Sequence, residues 1–224
     1  MAWPFLKLNI SASSVTIIWL IIAAIGCGFV MLGNYTSMLI GTGLFELAVI
    51  LDCVDGHIAR FTRITRTGEI LDMWAGEILL VSSILSIGIG LSNSSSASVI
   101  MSNTIMNLVK FDKIIFAYIG IIGALAAISS WTVRLHWRTI AMKLSLAEFE
   151  PDRGVNKSNV TSILDNVFHY SGALTFVMFV SAIIGTLELA LAAITLVYVA
   201  YLFALVRRIL QKARSLDSEG TANK

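Results

Sequence analysis

Residues 8–45, 78–109, 114–133 and 189–206 of this chain contain no Asp, Glu, Lys or Arg. Crossing the hydrocarbon of a bilayer takes roughly 17–25 mainly apolar helical residues, and each stretch is long enough. In lipid, every backbone N–H and C=O must find its partner within the spanning structure, which helices achieve along their own length. Composition points the same way. Hydrophobic residues make up 57% of the chain and charged residues 13%, about half the charged share of a soluble domain. The expected fold is all-α, a polytopic membrane protein with about six transmembrane helices.

Spans are expected near residues 14–32, 35–60, 68–92, 113–138, 168–187 and 189–211. Gly33-Asn34 punctuates the first pair. The segments 91–103, rich in Ser, and 147–159, with Pro151 and Gly154, read as loops on opposite sides. Neither an internal repeat nor a second domain is visible, so residues 1–224 form a single membrane domain. The opening "MAWPFLKLNI" lacks the short apolar core of a cleavable signal. It reads as an interfacial segment with Trp3 and Phe5 at headgroup level.

A formal charge of +2 is too small to suggest a nucleic-acid partner. Cys27 and Cys53 both lie in apolar segments and suggest neither a disulfide framework nor a zinc site. An even number of spans puts both termini on one side. That side collects fourteen of the sixteen Lys and Arg residues, leaving Lys110 and Lys113 opposite. Positive charge accumulates in cytoplasmic loops, so both termini and the polar segment at 52–77 are expected at the cytoplasmic face.

That segment, "DCVDGHIARFTRITRTGEILDMWAGE", is the polar anomaly between apolar runs. Asp52, Asp55, Gly56 and Ala59 follow i, i+3, i+4, i+7 spacing and share one helical face. Gly68 and Asp72 share a face of the next helix. The turn at 60–67 is expected to fold the two helices back as neighbours, gathering Asp52, Asp55 and Asp72. Three carboxylates in a low-dielectric site repel one another. A hard divalent cation such as Mg²⁺, Mn²⁺ or Ca²⁺ removes that conflict. Gly56, Ala59 and Gly68 leave room for a ligand, and Arg60, Arg63 and Arg66 ring the mouth, where phosphate could bind. Embedded acids also serve as proton relays or ion pathways, and a cytoplasmic arginine such as Arg63 can be a topology signal alone. His57 lies on another face and reads as structural. Glu46, deeper in the same helix, is either a paired structural acid or a relay group.

Residues 52–72 resemble the signature of the CDP-alcohol phosphotransferase family. Its pattern is Asp-x-x-Asp-Gly-x-x-Ala-Arg, about eight residues, then Gly-x-x-x-Asp-x-x-x-Asp. Asp52, Asp55, Gly56, Ala59, Arg60, Gly68 and Asp72 match in identity and order, and six spans match that family's fold. The resemblance implies transfer of a substituted phosphate from a CDP-linked donor, such as CDP-diacylglycerol, to an alcohol, with release of CMP. It implies that Asp52, Asp55 and Asp72 hold Mg²⁺ or Mn²⁺ across the donor's pyrophosphate. Gly56 and Ala59 would let the cytidine end pack closely, Arg60 would support the phosphates, and Gly68 completes the donor-binding set. The resemblance also implies a homodimer in the bilayer.

This chain departs from the signature twice. Seven residues separate Arg60 from Gly68, and Gly76 stands where the family has its last Asp. In the family that carboxylate binds metal and is read as the base for the attacking hydroxyl. Glu77 follows directly, rotated about 100° on an ideal helix. Its longer side chain or a local π-bulge would bring it back as the catalytic base. Arg134 and Arg138 in "SSWTVRLHWR" are four residues apart on one face, with Trp131 a turn earlier. This is similar to the acceptor region of family members, and two aligned guanidinium groups suit a phosphorylated or polar alcohol. The plainer reading is an interfacial anchor with snorkelling arginines. Two other functions stay open: a catalytically impaired nucleotide-binding relative or interaction subunit, and a transporter using the buried acids.

Overall fold

The computed structural model describes residues 10–62, 65–94, 112–143 and 171–222, with Trp3, Lys7 and Leu8 near the start. Of the loop expected at 91–103, residues 91–93 belong to the helix ending at Asn93 and 95–103 fall outside these residues, as do the loop expected at 147–159, Arg63 and Ile64 in the turn, and Phe5. Six helices follow in order: α1 (Ala12–Met31), α2 (Tyr35–Phe61), α3 (Arg66–Asn93), α4 (Ile114–Lys143), α5 (Ser171–Ile184) and α6 (Leu187–Ala222). Among the described residues there is no strand. Five helices are long and apolar enough to cross a membrane, and α5 contributes a shorter apolar segment, Ala173–Ile184. The expected span at 168–187 is thus represented by a 14-residue helix, the residues just before it lying outside those described.

Helix starts follow the local chemistry. Ser11, Asn34 and Thr65 sit in extended backbone and cap α1, α2 and α3, each side-chain oxygen accepting from the backbone N–H three residues on. Such caps satisfy donors that the helix itself leaves unpaired. Two reversals use glycine in the left-handed region, Gly33 (φ 78°) between α1 and α2 and Gly185 (φ 77°) between α5 and α6. Without a Cβ, that conformation carries no steric penalty.

Lipid tails are as apolar as the side chains, so helices associate here through close packing. A Cβ on Gly41 would stand 2.6 Å from the Gly26 carbonyl oxygen, and one on Gly88 would stand 2.9 Å from the Gly120 Cα. These glycines let α1 approach α2, and α3 approach α4, almost backbone to backbone. Buried hydroxyls bond back along their own helices, as Thr42 does to Met38 O and Ser83 to Leu80 O. Outward faces carry exposed Ile21, Ile25, Ile122, Leu125, Leu196 and Phe203, the surface a lipid solvent requires.

One expectation about neighbours changes. The turn after α2 was expected to set α2 and α3 side by side, yet their mutual contact is slight. Helix α1 packs along both instead, and α3 packs mainly on α4. The glycine approaches explain this, because they favour α1–α2 and α3–α4 pairing over pairing of sequence neighbours across the turn.

Candidate functional site

The three aspartates meet at one end of the bundle. There α2 finishes and α3 begins, so the last turns of one and the first of the other present Asp52, Asp55 and Asp72 together. One carboxylate oxygen from each lies within 4.8 Å of the others. Asp55 is buried, Asp52 half-buried and Asp72 exposed, which makes a graded site open on one side. Oxygens on opposite sides of a bound Mg²⁺, Mn²⁺ or Ca²⁺ are about 4–5 Å apart, twice a metal–oxygen distance of roughly 2.0–2.6 Å. The all-oxygen donor set and its span therefore fit a hard divalent cation.

Helix α1 fixes the deepest ligand. The Thr16 hydroxyl donates to Asp55 Oδ2 at 2.7 Å, and the Trp19 indole N–H donates to the same oxygen at 2.9 Å. Trp19 is wholly buried and Thr16 nearly so. Two donors from one rigid helix lock the carboxylate's rotation, the role that outer-shell partners play for metal ligands. Sequence reading missed both. Their only signal was two hydrogen-bonding side chains three residues apart on a helix without charge, a spacing that names no partner some 36 to 39 positions away.

The space beside the acids is open where the spacing placed small residues. A Cβ added to Gly56 would meet nothing within 4 Å. Ala59 is half-buried and Arg60 is exposed in the last turn of α2. Gly68 plays a local part: its N–H donates to the capping Thr65 hydroxyl, and a Cβ there would stand 2.9 Å from that oxygen. Gly76, one turn beyond Asp72, also has nothing within 4 Å of an added Cβ. His57 is exposed and lies outside the acid cluster. Glu46 points toward α5, where Thr175 hydrogen-bonds its carboxyl group.

Glu77 does not join the three aspartates. Helix α3 stays regular through Gly76 and Glu77, with no π-bulge. Five residues of α-helix put Glu77 about 140° around the axis from Asp72, toward α4. Its Oε1 stands 3.9 Å from Arg134 Nη2. The Arg134 guanidinium carbon lies 5.7 Å from the Tyr201 ring centroid on α6. Trp131 meets Trp74 edge-to-face, with centroids 6.0 Å apart, which ties α3 to α4 at this level. Arg138 lies one turn beyond Arg134 on α4; its side chain is not among the described ones. Tyr198 and Tyr201, three apart on α6, are the other residues that sequence reading passed over.

Together the fold and site define a polytopic helical membrane protein with an open acidic site where α2 ends and α3 begins. Residues 9–206 match the CDP-alcohol phosphatidyltransferase family, and the chain belongs to it. Its members carry out phosphatidyl transfer from a CDP-linked alcohol to an acceptor. No individual curated protein matches the chain.

Proposed function

We propose that this protein transfers a substituted phosphate from a CDP-linked donor, such as CDP-diacylglycerol, to a phosphorylated or polar alcohol, releasing CMP. The observation that carries this is the convergence of Asp52, Asp55 and Asp72 within 4.8 Å beside open space at Gly56. Asp52, Asp55 and Asp72 would hold Mg²⁺ or Mn²⁺, which would neutralise the pyrophosphate and the leaving CMP. Thr16 and Trp19 keep Asp55 aimed into the site. Gly56 and Ala59 admit the donor's cytidine end, Gly68 shapes the turn that starts α3, and Arg60 meets the phosphates.

Arg134 and Arg138 seat the acceptor through its anionic group. Glu77, beside Arg134, then stands next to the acceptor and takes its hydroxyl proton. As that proton leaves, the hydroxyl oxygen forms a bond to the donor's β-phosphorus, and the bond to the CMP oxygen breaks with its electron pair. The distribution of Lys and Arg supports a cytoplasmic site and cytoplasmic termini, and family membership supports a homodimer.

Gly76 favours one second reading, a relative that binds nucleotide without efficient turnover, because its position offers no carboxylate. The deciding experiment is CMP release from CDP-diacylglycerol with Mg²⁺ or Mn²⁺, screened against inositol phosphate, glycerol phosphate, serine and inositol. Metal-dependent, acceptor-dependent release supports the transferase. Donor binding without release under any acceptor supports the second reading.

A further inference from the structure

Helix α6 runs on past its apolar part. The turns at Gly33 and Gly185 line one pocket, so α2 and α6 both start there and run toward the end that holds the aspartates. The uncharged run 189–206 is about 27 Å long at 1.5 Å per residue, close to the roughly 30 Å of a bilayer's hydrocarbon. Arg207, Arg208 and Arg214 follow it, and no Asp or Glu occurs from 189 to 216. All three arginines are exposed. Lys212 already has an interaction within the protein and is not counted with them.

The direction in which these arginines point identifies what they meet. Leu202, Leu205 and Ile209 are half-buried, at the spacing of one helical face, and turn toward the bundle. Leu196 and Phe203, each 72% exposed, lie on the other side, toward the lipid tails. Arg207 and Arg214 continue that outer line, since positions 196, 203, 207 and 214 are seven, four and seven residues apart. Arg208 stands about 100° to one side. The cations therefore lie directly above the lipid that borders α6, on a different helix from the aspartates. Arg207 falls where the hydrocarbon ends, and Arg214 about 10 Å further along. Side chains on a helix lean toward its N-terminus, which at this end means back toward the bilayer, and a long arginine spans the remainder. Guanidinium groups suit phosphate oxygens, which they bind two at a time. We propose that Arg207, Arg208 and Arg214 form a binding surface for the headgroups of acidic phospholipids in the leaflet at this end of the bundle. Orienting the chain in the membrane requires basic residues at a span's end but no selection among lipids, and that difference is measurable.

The test uses the full chain in phosphatidylcholine vesicles carrying a trace of spin-labelled phosphatidylglycerol or spin-labelled phosphatidylcholine. The fraction of each label immobilised by the protein gives its relative affinity. Wild type is expected to select the acidic label about fivefold or more, the scale of one basic residue near an acidic surface. Raising the salt from about 0.15 M to about 1 M shortens screening from about 8 Å to about 3 Å and is expected to remove most of that selection. The combined variant Arg207→Gln, Arg208→Gln, Arg214→Gln is expected to lose most of it at low salt, with helical circular dichroism and elution volume like wild type. Equal immobilisation of both labels by wild type overturns the proposal, as does full selection in the triple variant. If the triple variant fails to insert, Arg214→Gln alone decides: selection reduced about twofold supports the surface, and unchanged selection overturns it.

Discussion

Two charged regions share this end of the bundle, and they are built on opposite rules. Around Asp55 the protein gathers three acids whose carboxylate oxygens lie within 4.8 Å of one another. Asp52 and Asp72 lie within hydrogen-bonding reach of each other, an arrangement that two bare carboxylates do not tolerate. Around Glu77 the acid already has its cation, Arg134, backed by an aromatic ring. In the first region the acids face one another and could share a metal ion. In the second an acid faces a cation. Clustered acids are suited to recruiting a metal, and an acid that already faces a cation is less so.

The strongest way to break this contrast is Asp55→Asn. It removes a ligand charge from the most buried position while keeping an isosteric acceptor for Thr16 and Trp19. We expect divalent-dependent donor binding to disappear, a loss beyond the roughly 10–100-fold typical of outer-shell changes, with membrane insertion unchanged. Equal donor affinity with and without EDTA in that variant would dissolve the metal site.

Glu77→Gln comes next. If Glu77 takes the acceptor's proton, turnover is expected to fall about 10²–10⁴-fold, while donor binding, which rests on the aspartates, survives. Robust CMP release in the variant removes Glu77 from that role. Gly76→Asp is the companion measurement, since there is open space for the side chain. A rise in rate there with little effect of Glu77→Gln identifies the site as one disabled by its glycine. A gain in stability alone carries no weight, because any side chain favours the helix over glycine.

Arg134→Ala sharpens the comparison from the other side. The acceptor KM is expected to rise about tenfold or more, the scale of one lost charge-assisted hydrogen bond, with the donor KM little changed. A donor-side defect instead would merge the two regions into one site.

The smallest effect expected is that of Trp19→Phe, which keeps the packing and deletes one donor to Asp55. Apparent Mn²⁺ affinity in the activity assay is expected to fall about tenfold. Thr16→Val supplies the parallel case, and no change in either would show that α1 only packs against the site.

How much of this was legible in the chain follows from where the information lies. Uncharged runs and the period-4 spacing of Asp52, Gly56 and Asp55, Ala59 are local properties, and they determined the membrane class, the number of helices and the family signature. Caps at Asn34 and the turn at Gly33 were equally local. Which helices would become neighbours was not, because apolar faces in lipid are interchangeable until backbones meet. The glycine approaches at Gly26–Gly41 and Gly88–Gly120 decided that pairing, drawing α1 onto α2 and α3 onto α4. Only that packing brought Thr16 and Trp19 onto Asp55. Likewise, position 77 in the chain suggested a substitute for the missing acid beside Asp72. The regular helix turned Glu77 toward Arg134, because nothing in α3 relieves the rotation that one extra residue imposes.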